Sequence, residues 1–588
     1  MIQLKNIGMR LMLAALLIST FLTGCNEETP TSAPDTNETA TSAAIYYNGS
    51  ILTMTGSEPS FAEALVEENG RILFVGKLSE AKKRAGSQAT RFDLAGATLM
   101  PGFIEPHLHP SLAAVMLQNE IIAPYDWKLP NEVKKGVSGE KNYRERITRS
   151  IKENAKPGEL YFIWGFHQLW HGPLSRELLN QIAGDQPVGV IHRSFHEIYL
   201  NDAAIELLGI KQDDFASNPQ VDWEQGHFYE GGWLALVPVM APALIQPEKY
   251  RKGLTTMTAM MKQNGITTIA EPGFPSSDFD SELSLLKSEM ASNPPYDVYL
   301  IPNGTQLYSM KGGNDEAMAF MDTLATNEEY NSSNVHFLPK QVKLFADGAI
   351  YSQAMQMKDG YTDGHEGQWM TPLDLFGKQV KMYWNNGYKI HVHANGDLGQ
   401  QMVIDKVAQL QTSNPRTNHR FTLHHMGYFT DEMTEQMLKL GMEASVNPYY
   451  LWALADKYAE HGLGQERAEN LVALKLLVDK NIPMSLHSDF SMAPVEPLTL
   501  AWVTANRTTA QGNPVSQDQR IPVYAALQAI TINAARTLNL EAEIGSLEPG
   551  KIANFTLLGA NPLEVDITKI KDIEIKGVVY KGTFHKQD

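Results

Sequence analysis

The sequence holds one cysteine, Cys25, among its 588 residues. A single thiol excludes a disulfide within the chain and a zinc site built on paired thiolates. Any metal in the folded protein must rest on histidine and carboxylate. The apolar run LMLAALLISTF at residues 11–21 is too short to span a bilayer, which takes about 20 residues of helix. No cluster of Lys and Arg resembles a nucleic-acid footprint, and the formal net charge is −18. Nucleic acid is therefore not an expected partner; a small-molecule substrate is expected on other grounds, from the motifs at the strand ends. The acidity itself is a general solubility property and names no partner.

The lone cysteine has a context. Lys5 and Arg10 precede the apolar run, which ends in LTGC, Leu22 to Cys25. Charged start and short apolar core are the parts of an export signal. The ending resembles the lipobox of bacterial lipoproteins, in which the cysteine becomes the acylated first residue. The following NEETPTSAPDTNETATSA is polar and reads as a disordered tether. These features predict a signal peptide over 1–24, lipidation at Cys25 and a tether over 25–43. Asn26 after the cysteine resembles an outer-membrane sorting pattern, so the expected location is an outer membrane, facing the periplasm, as monomer or homodimer.

With 43% hydrophobic residues the chain can bury a large core. Residues 44–98 read as short strands with turns, and Asn-Gly at 48–49 and 69–70 are hairpin signals. Residues 540–588 have the same texture. Both ends together predict one composite β domain. The middle, 99–539, alternates strands with helical patterns such as DLGQQMVIDKVAQLQ. Eight apolar strands are expected, at 100–107, 265–273, 296–304, 340–348, 388–397, 420–427, 442–448 and 482–489. Strand–helix alternation argues for a parallel sheet, and eight units argue for closure. The fold class is α/β: a (β/α)8 TIM barrel, a small β-sandwich-like domain from both termini, and a large insertion after strand 1, about 110–262. Loops at the C-terminal ends of barrel strands surround an active site, so the insertion should roof it.

LMPGFIEPHLHP, residues 99–110, ends its strand in His107 and His109. Residues i and i+2 of a strand share a face, which would aim both rings together. Other strand ends carry Lys343, His393, His424, His425 and Asp489. Taken singly, Lys343 reads as half of an ion pair, His391 as a satisfied core residue and Asp489 as a helix cap. Taken together at one barrel mouth, they read as a single site. In the insertion, Trp164, Trp170, His171 and Trp233 are candidates for lining a substrate pocket, with core packing as the alternative.

These motifs resemble the metal-dependent amidohydrolase superfamily, in its family 3 branch that includes N-substituted formamide deformylase. ATLMPGFIEPHLH, QVKLFADGAI, HANGD and TINAARTLNLEAEIGSLEPGKIANFTLL carry the likeness, with VIHRSFHEIYLNDAAIELLGI, holding His196 and Asn201, inside the insertion. The chain departs from the branch at His424, where Glu is common, at His487 in HSD, and at Asn554 in KIAN. The resemblance implies two divalent metal ions, zinc first and manganese or iron as alternatives. His107, His109 and Asp489 would hold one ion, His393 and His425 the other, and Lys343 would bridge them as a carbamate. Asp489 would also move the proton. His196, His424, His487 and Trp170 would contact substrate. The implied reaction is hydrolysis of a C–N bond other than a peptide bond, in an amide, formamide or cyclic amide. An ester or carbamate hydrolase is the alternative, and a non-catalytic lipid-anchored solute-binding protein a more remote one.

Overall fold

The computed structural model describes residues 43–587. The expected signal peptide, Cys25 and all but the last residue of the tether lie outside the described residues. Among the described residues no helix is long and apolar enough to cross a membrane.

Nine parallel strands position the site. The first four are β1 (Phe103–Glu105), β2 (Ile266–Phe274), β3 (Asp297–Pro302) and β4 (Val335–Phe337). They form one sheet in the order β4-β3-β2-β1. The other five are β5 (Gln341–Phe345), β6 (Lys389–Ala394), β7 (Thr422–His425), β8 (Glu443–Val446) and β9 (Met484–Leu486). They form a second sheet in chain order. Parallel strands covered on both faces are apolar along their whole length, and every residue of β2 is buried. Helices return the chain between strands. Helix Asp397–Ser413 buries Gly399, Gln400, Val403, Ile404, Val407 and Leu410, one stripe at helical spacing.

Hydrogen bonds tie the two sheets at both margins. Gly304 N–H donates to Lys343 O at 2.8 Å, continuing β3 towards β5. At the other margin Asp489 N–H donates to His107 O at 3.1 Å and His109 N–H to Phe490 O at 2.7 Å. There the buried Glu105 accepts Ser488 N–H at 3.0 Å and Ser488 Oγ–H at 2.7 Å. β4 is additional to the eight strands expected from sequence.

Strands from both ends of the described chain form one hydrogen-bonded sheet of eight. Thr98–Pro101 pairs antiparallel with Phe555–Leu558 and joins the two ends. Asn69-Gly70 makes the expected turn between Phe61–Glu68 and Arg71–Gly76. Asn48-Gly49 does not make a hairpin. It lies within strand Ala44–Leu52 as a register shift, and a Cβ on Gly49 would stand 2.3 Å from Ala97 O. Close backbone approach, not a turn, sets that glycine.

The segment 100–107 is likewise not one strand. Its first residues belong to the terminal sheet, and Phe103–Glu105 belongs to the parallel sheet. The chain changes sheets at Gly102, where a Cβ would stand 2.1 Å from Thr267 Oγ1. Gly102 N–H is held by Asn554 O at 2.8 Å, and Asn554 Oδ1 accepts Lys581 N–H at 2.9 Å. Asn554 therefore holds backbone together.

Between β1 and β2 the chain builds a separate six-stranded sheet with several helices, the last two being Gly231–Leu244 and Pro247–Gln263. Helix Pro247–Gln263 packs on Pro110–Met116 and leads into β2. It belongs with the strand–helix alternation, although the sequence places it within the insertion.

Candidate metal centre

His107 and His109 lie beyond β1, and His109 is the residue before helix Pro110–Met116. Their convergence therefore does not come from a shared strand face, because the strand has ended. It comes from the loop held by the backbone bonds to Asp489 and Phe490. Nε2 of His107 is 3.4 Å and Nε2 of His109 is 3.1 Å from Oδ1 of Asp489. Ligand atoms around a tetrahedral zinc at about 2.1 Å stand about 3.4 Å apart. Oδ1 accepts no hydrogen bond. Nδ1 of His109 meets Oε1 of the buried Glu271 at 2.6 Å, which leaves Nε2 facing Asp489. The gap between Nε2 and Oδ1 thus seats one cation. Burial alone would lower the His109 pKa, but the Glu271 and Asp489 carboxylates raise it to about 9. Without metal, that cation is a proton. These residues fit a divalent ion, and the carboxylate on the far ring nitrogen orients the imidazole as metal sites require.

The remaining candidates share the same space. His107, His109, Lys343, His393, His425 and Asp489 all line one cavity of about 40 Å³. Five separate strands, or the loops that directly follow them, supply them. Nδ1 of His425 is 3.6 Å from Oδ2 of Asp489. His425 and Asp489 hold φ at 76° and 58°, in the left-handed region that few residues other than glycine occupy, although His and Asp enter it more readily than most. Such strain persists where surrounding structure overdetermines it. Lys343 Nζ is buried with no hydrogen-bond partner. Burial pushes its pKa down to about 7, so a large share of the amine is neutral. Burial alone would raise the Asp489 pKa, but contact with His109 and the neighbouring charges of His487 and Lys343 together hold that carboxyl below its ordinary value. Asp489 is ionised at neutral pH.

The FADG and HANGD motifs meet in one lock. Asp347 accepts N–H bonds from Asn395 at 2.8 Å and from Gly396 and Gln356 at 2.9 Å. It fixes the turn that follows His393. Asn395 Nδ2 in turn lies 3.0 Å from Nε2 of His393.

Three expected substrate contacts are not at the cavity. Trp170 is buried within the insertion against Tyr125 and His167. Its area serves packing. Trp164 and His171 are core residues too, and His171 stacks on Tyr143. His424 and His487 lie behind the ligands. His424 Nδ1 is 2.6 Å from His107 Nδ1, and His487 Nδ1 is 2.8 Å from Ser445 Oγ. His487 could join His107 and His425 in a second group of converging ligand atoms, beside the group of His107, His109 and Asp489. His196 does reach the cavity. Its Nδ1 is 2.8 Å from Oε2 of Glu230, whose Oε1 accepts Ala349 N–H at 3.2 Å. Asn201 caps helix Asp202–Leu208 and has a structural role. Sequence reasoning missed Glu271 and Glu230. The only signal for Glu271 is a lone carboxylate in the apolar run ITTIAEPG.

A second cavity, of about 140 Å³, adjoins the first through His109, His196, Phe345 and Met492. Val115, Trp233, Leu234, Val237, Ala241 and Leu244 make much of its wall. Trp233 and four others of these come from helix Gly231–Leu244, so the insertion covers this side of the site. An apolar cavity of about 150 Å³ holds a molecule the size of benzene.

Histidines and a carboxylate gathered at the ends of parallel strands define a metal-dependent hydrolase class, and the chain belongs to the Amidohydrolase family, whose sequence pattern matches residues 91–584. The chain is 25% identical over 536 residues to Protein LONG AFTER FAR-RED 3 of Arabidopsis thaliana, covering 87% of this chain and 86% of that one. It is 23% identical over 538 residues to N-substituted formamide deformylase of Arthrobacter pascens, covering 88% and 93%. Among solved structures, an uncharacterized metal-dependent hydrolase from Pyrococcus horikoshii OT3 shares the fold. The TM-score is 0.68 at 21% identity, covering 90% of this chain and 99% of that one.

Proposed function

We propose that this chain hydrolyses a C–N bond in an amide, formamide or cyclic amide whose substituent is neutral, apolar and about the size of one ring. The observation that carries this reading is the pair of adjoining cavities. One gathers six metal-competent or carbamate-competent side chains, and the other is apolar. The deformylase relative, whose name specifies N-substituted formamides, supports the same class.

His107, His109 and Asp489 would hold one divalent ion, and His393 and His425 a second. Lys343, carrying a carbamate, would bridge them. A buried amine with no partner, partly neutral at physiological pH, is the form that reacts with CO₂. Zinc is the first candidate, with manganese or iron as alternatives. Bound metal supplies carbonyl polarisation and an acidified water. The chain does the rest. Asp489, ionised and buried, takes the proton of the attacking water and returns it to the leaving nitrogen. His196, tied to Glu230 through Nδ1, offers its other ring nitrogen to the polar end of the substrate. The apolar cavity holds the substituent and keeps water from it.

The same reading takes the two parallel sheets as one closed (β/α)8 barrel, the terminal strands as a composite domain, and Cys25 as a lipid anchor to a periplasm-facing outer membrane. Purified enzyme with measured metal content, offered a panel of N-alkyl and N-aryl formamides and amides, tests the proposal. Turnover that depends on metal and rises with an apolar substituent supports it. An ester hydrolase on the same site is the second reading; faster turnover of the ester in a matched amide–ester pair would favour it.

A further inference from the structure

Behind His107 runs a line of buried imidazoles that the reaction does not use. His107 Nδ1 is 2.6 Å from His424 Nδ1. His424 Nε2 is 2.8 Å from His391 Nδ1. His391 Nε2 is 2.8 Å from Oε1 of Gln341. Gln341 Nε2 donates to Leu538 O at 2.9 Å. All three rings and Gln341 are buried.

The end of the line sets its direction. A carbonyl only accepts, so the amide of Gln341 must turn its NH₂ towards Leu538 and its oxygen towards His391. His391 therefore carries its proton on Nε2 and accepts on Nδ1. His424 must then donate from Nε2 and accept on Nδ1. His107 must donate from Nδ1, and its lone pair is forced onto Nε2, the nitrogen that faces Asp489. A neutral imidazole has one N–H, so a single choice at Gln341 propagates through every ring. The line ends on a peptide carbonyl and has no proton to exchange there. It fixes tautomers and does not conduct protons.

We infer that Gln341, His391 and His424 are positioning residues that hold His107 in the one tautomer able to bind metal through Nε2. This rests on the metal-centre reading above.

Two variants at Gln341 separate tautomer control from packing. Gln341→Met removes the acceptor that sets the direction. Gln341→Glu keeps an acceptor for His391. The readouts are zinc affinity of the metal-free protein, by competition with a chelator, and long-range ¹H–¹⁵N correlation spectra of histidine-labelled metal-free protein, with His107 assigned by a His107→Gln variant. The expected result is a loss of about 10–100-fold in zinc affinity for Gln341→Met, the size of other supporting-shell losses, with a much smaller loss for Gln341→Glu. Wild-type His107 should be protonated on Nδ1 alone. Wild-type zinc affinity in a folded Gln341→Met, equal losses in both variants, or a His107 proton on Nε2 would overturn the inference. If Gln341→Met does not fold, the wild-type spectrum decides. A wild-type chain that binds no zinc would instead overturn the metal-centre reading, so the two failures are distinct.

Discussion

Nε2 of His109 stands 3.1 Å from Oδ1 of Asp489, and the space between them seats one cation. Because Nδ1 is committed to Glu271, a proton and a metal ion compete for that seat. At neutral pH, metal binding must displace the proton from a ring whose pKa is raised to about 9. Calorimetric titration of zinc into metal-free protein at pH 7.5, in buffers of different ionisation enthalpy, should show about one proton released at this seat. Titration with no proton released contradicts the arrangement.

The same shift predicts how the metal-free protein responds to pH. The folded pKa of His109 lies above the ordinary 6.5, so the charged ring stabilises the fold. That contribution is complete below about 6.5 and is lost as pH rises through about 9. Thermal unfolding of metal-free protein should therefore show Tm falling across that window. Zinc-loaded protein should lack this fall. A His109→Gln variant should lack it as well.

Asp489→Asn keeps the shape of the side chain and removes the base. Turnover should fall about 10²–10⁴-fold, the usual weight of general acid–base catalysis. Metal content must be measured on the same sample, because Asp489 also faces both histidines. Full metal with near-normal turnover would remove Asp489 from the proton transfer.

Lys343→Ala should lose bound metal and activity, with partial recovery on adding a short carboxylic acid. Wild-type protein exchanged into ¹³C-bicarbonate should gain one carbamate signal that Lys343→Ala lacks. An unmodified Lys343 in a fully active enzyme with one tightly bound ion would replace the bridged site with a mononuclear one.

Ala241→Phe would fill the apolar cavity from helix Gly231–Leu244. It should lower kcat/KM for a benzyl-type substrate by about 10–200-fold, the range for size changes in an apolar pocket. The unsubstituted parent should be affected little. Equal losses on both would show that the cavity does not hold the substituent.

Much of this arrangement is legible in the sequence, for a physical reason. Strands buried on both faces are rich in apolar residues, so β3, β5, β6, β7, β8 and β9 each fall inside a segment expected from sequence, and β2 runs one residue past its segment. Polar residues within or just after those strands stand out against them, and this marks Lys343, His393, His425 and Asp489. Contacts that depend on register between strands are not legible. Nothing in the one-dimensional pattern places His391 against His424, or ends their line on Gln341. Glu271 escapes because one carboxylate in an otherwise apolar strand carries no sign of its partner until His109 is seen beside it. Trp170 misleads for the opposite reason: a large aromatic in an insertion suits a core as well as a pocket, and here the core takes it.

The most direct test of the central claim is the metal content of the purified soluble chain, measured by mass spectrometry beside its hydrolytic rate on an N-substituted formamide before chelation, after chelation and after zinc is restored. The account predicts two divalent ions per chain, loss of activity with their removal, and recovery with their return. A chain that carries no metal and hydrolyses the substrate at an undiminished rate would contradict it.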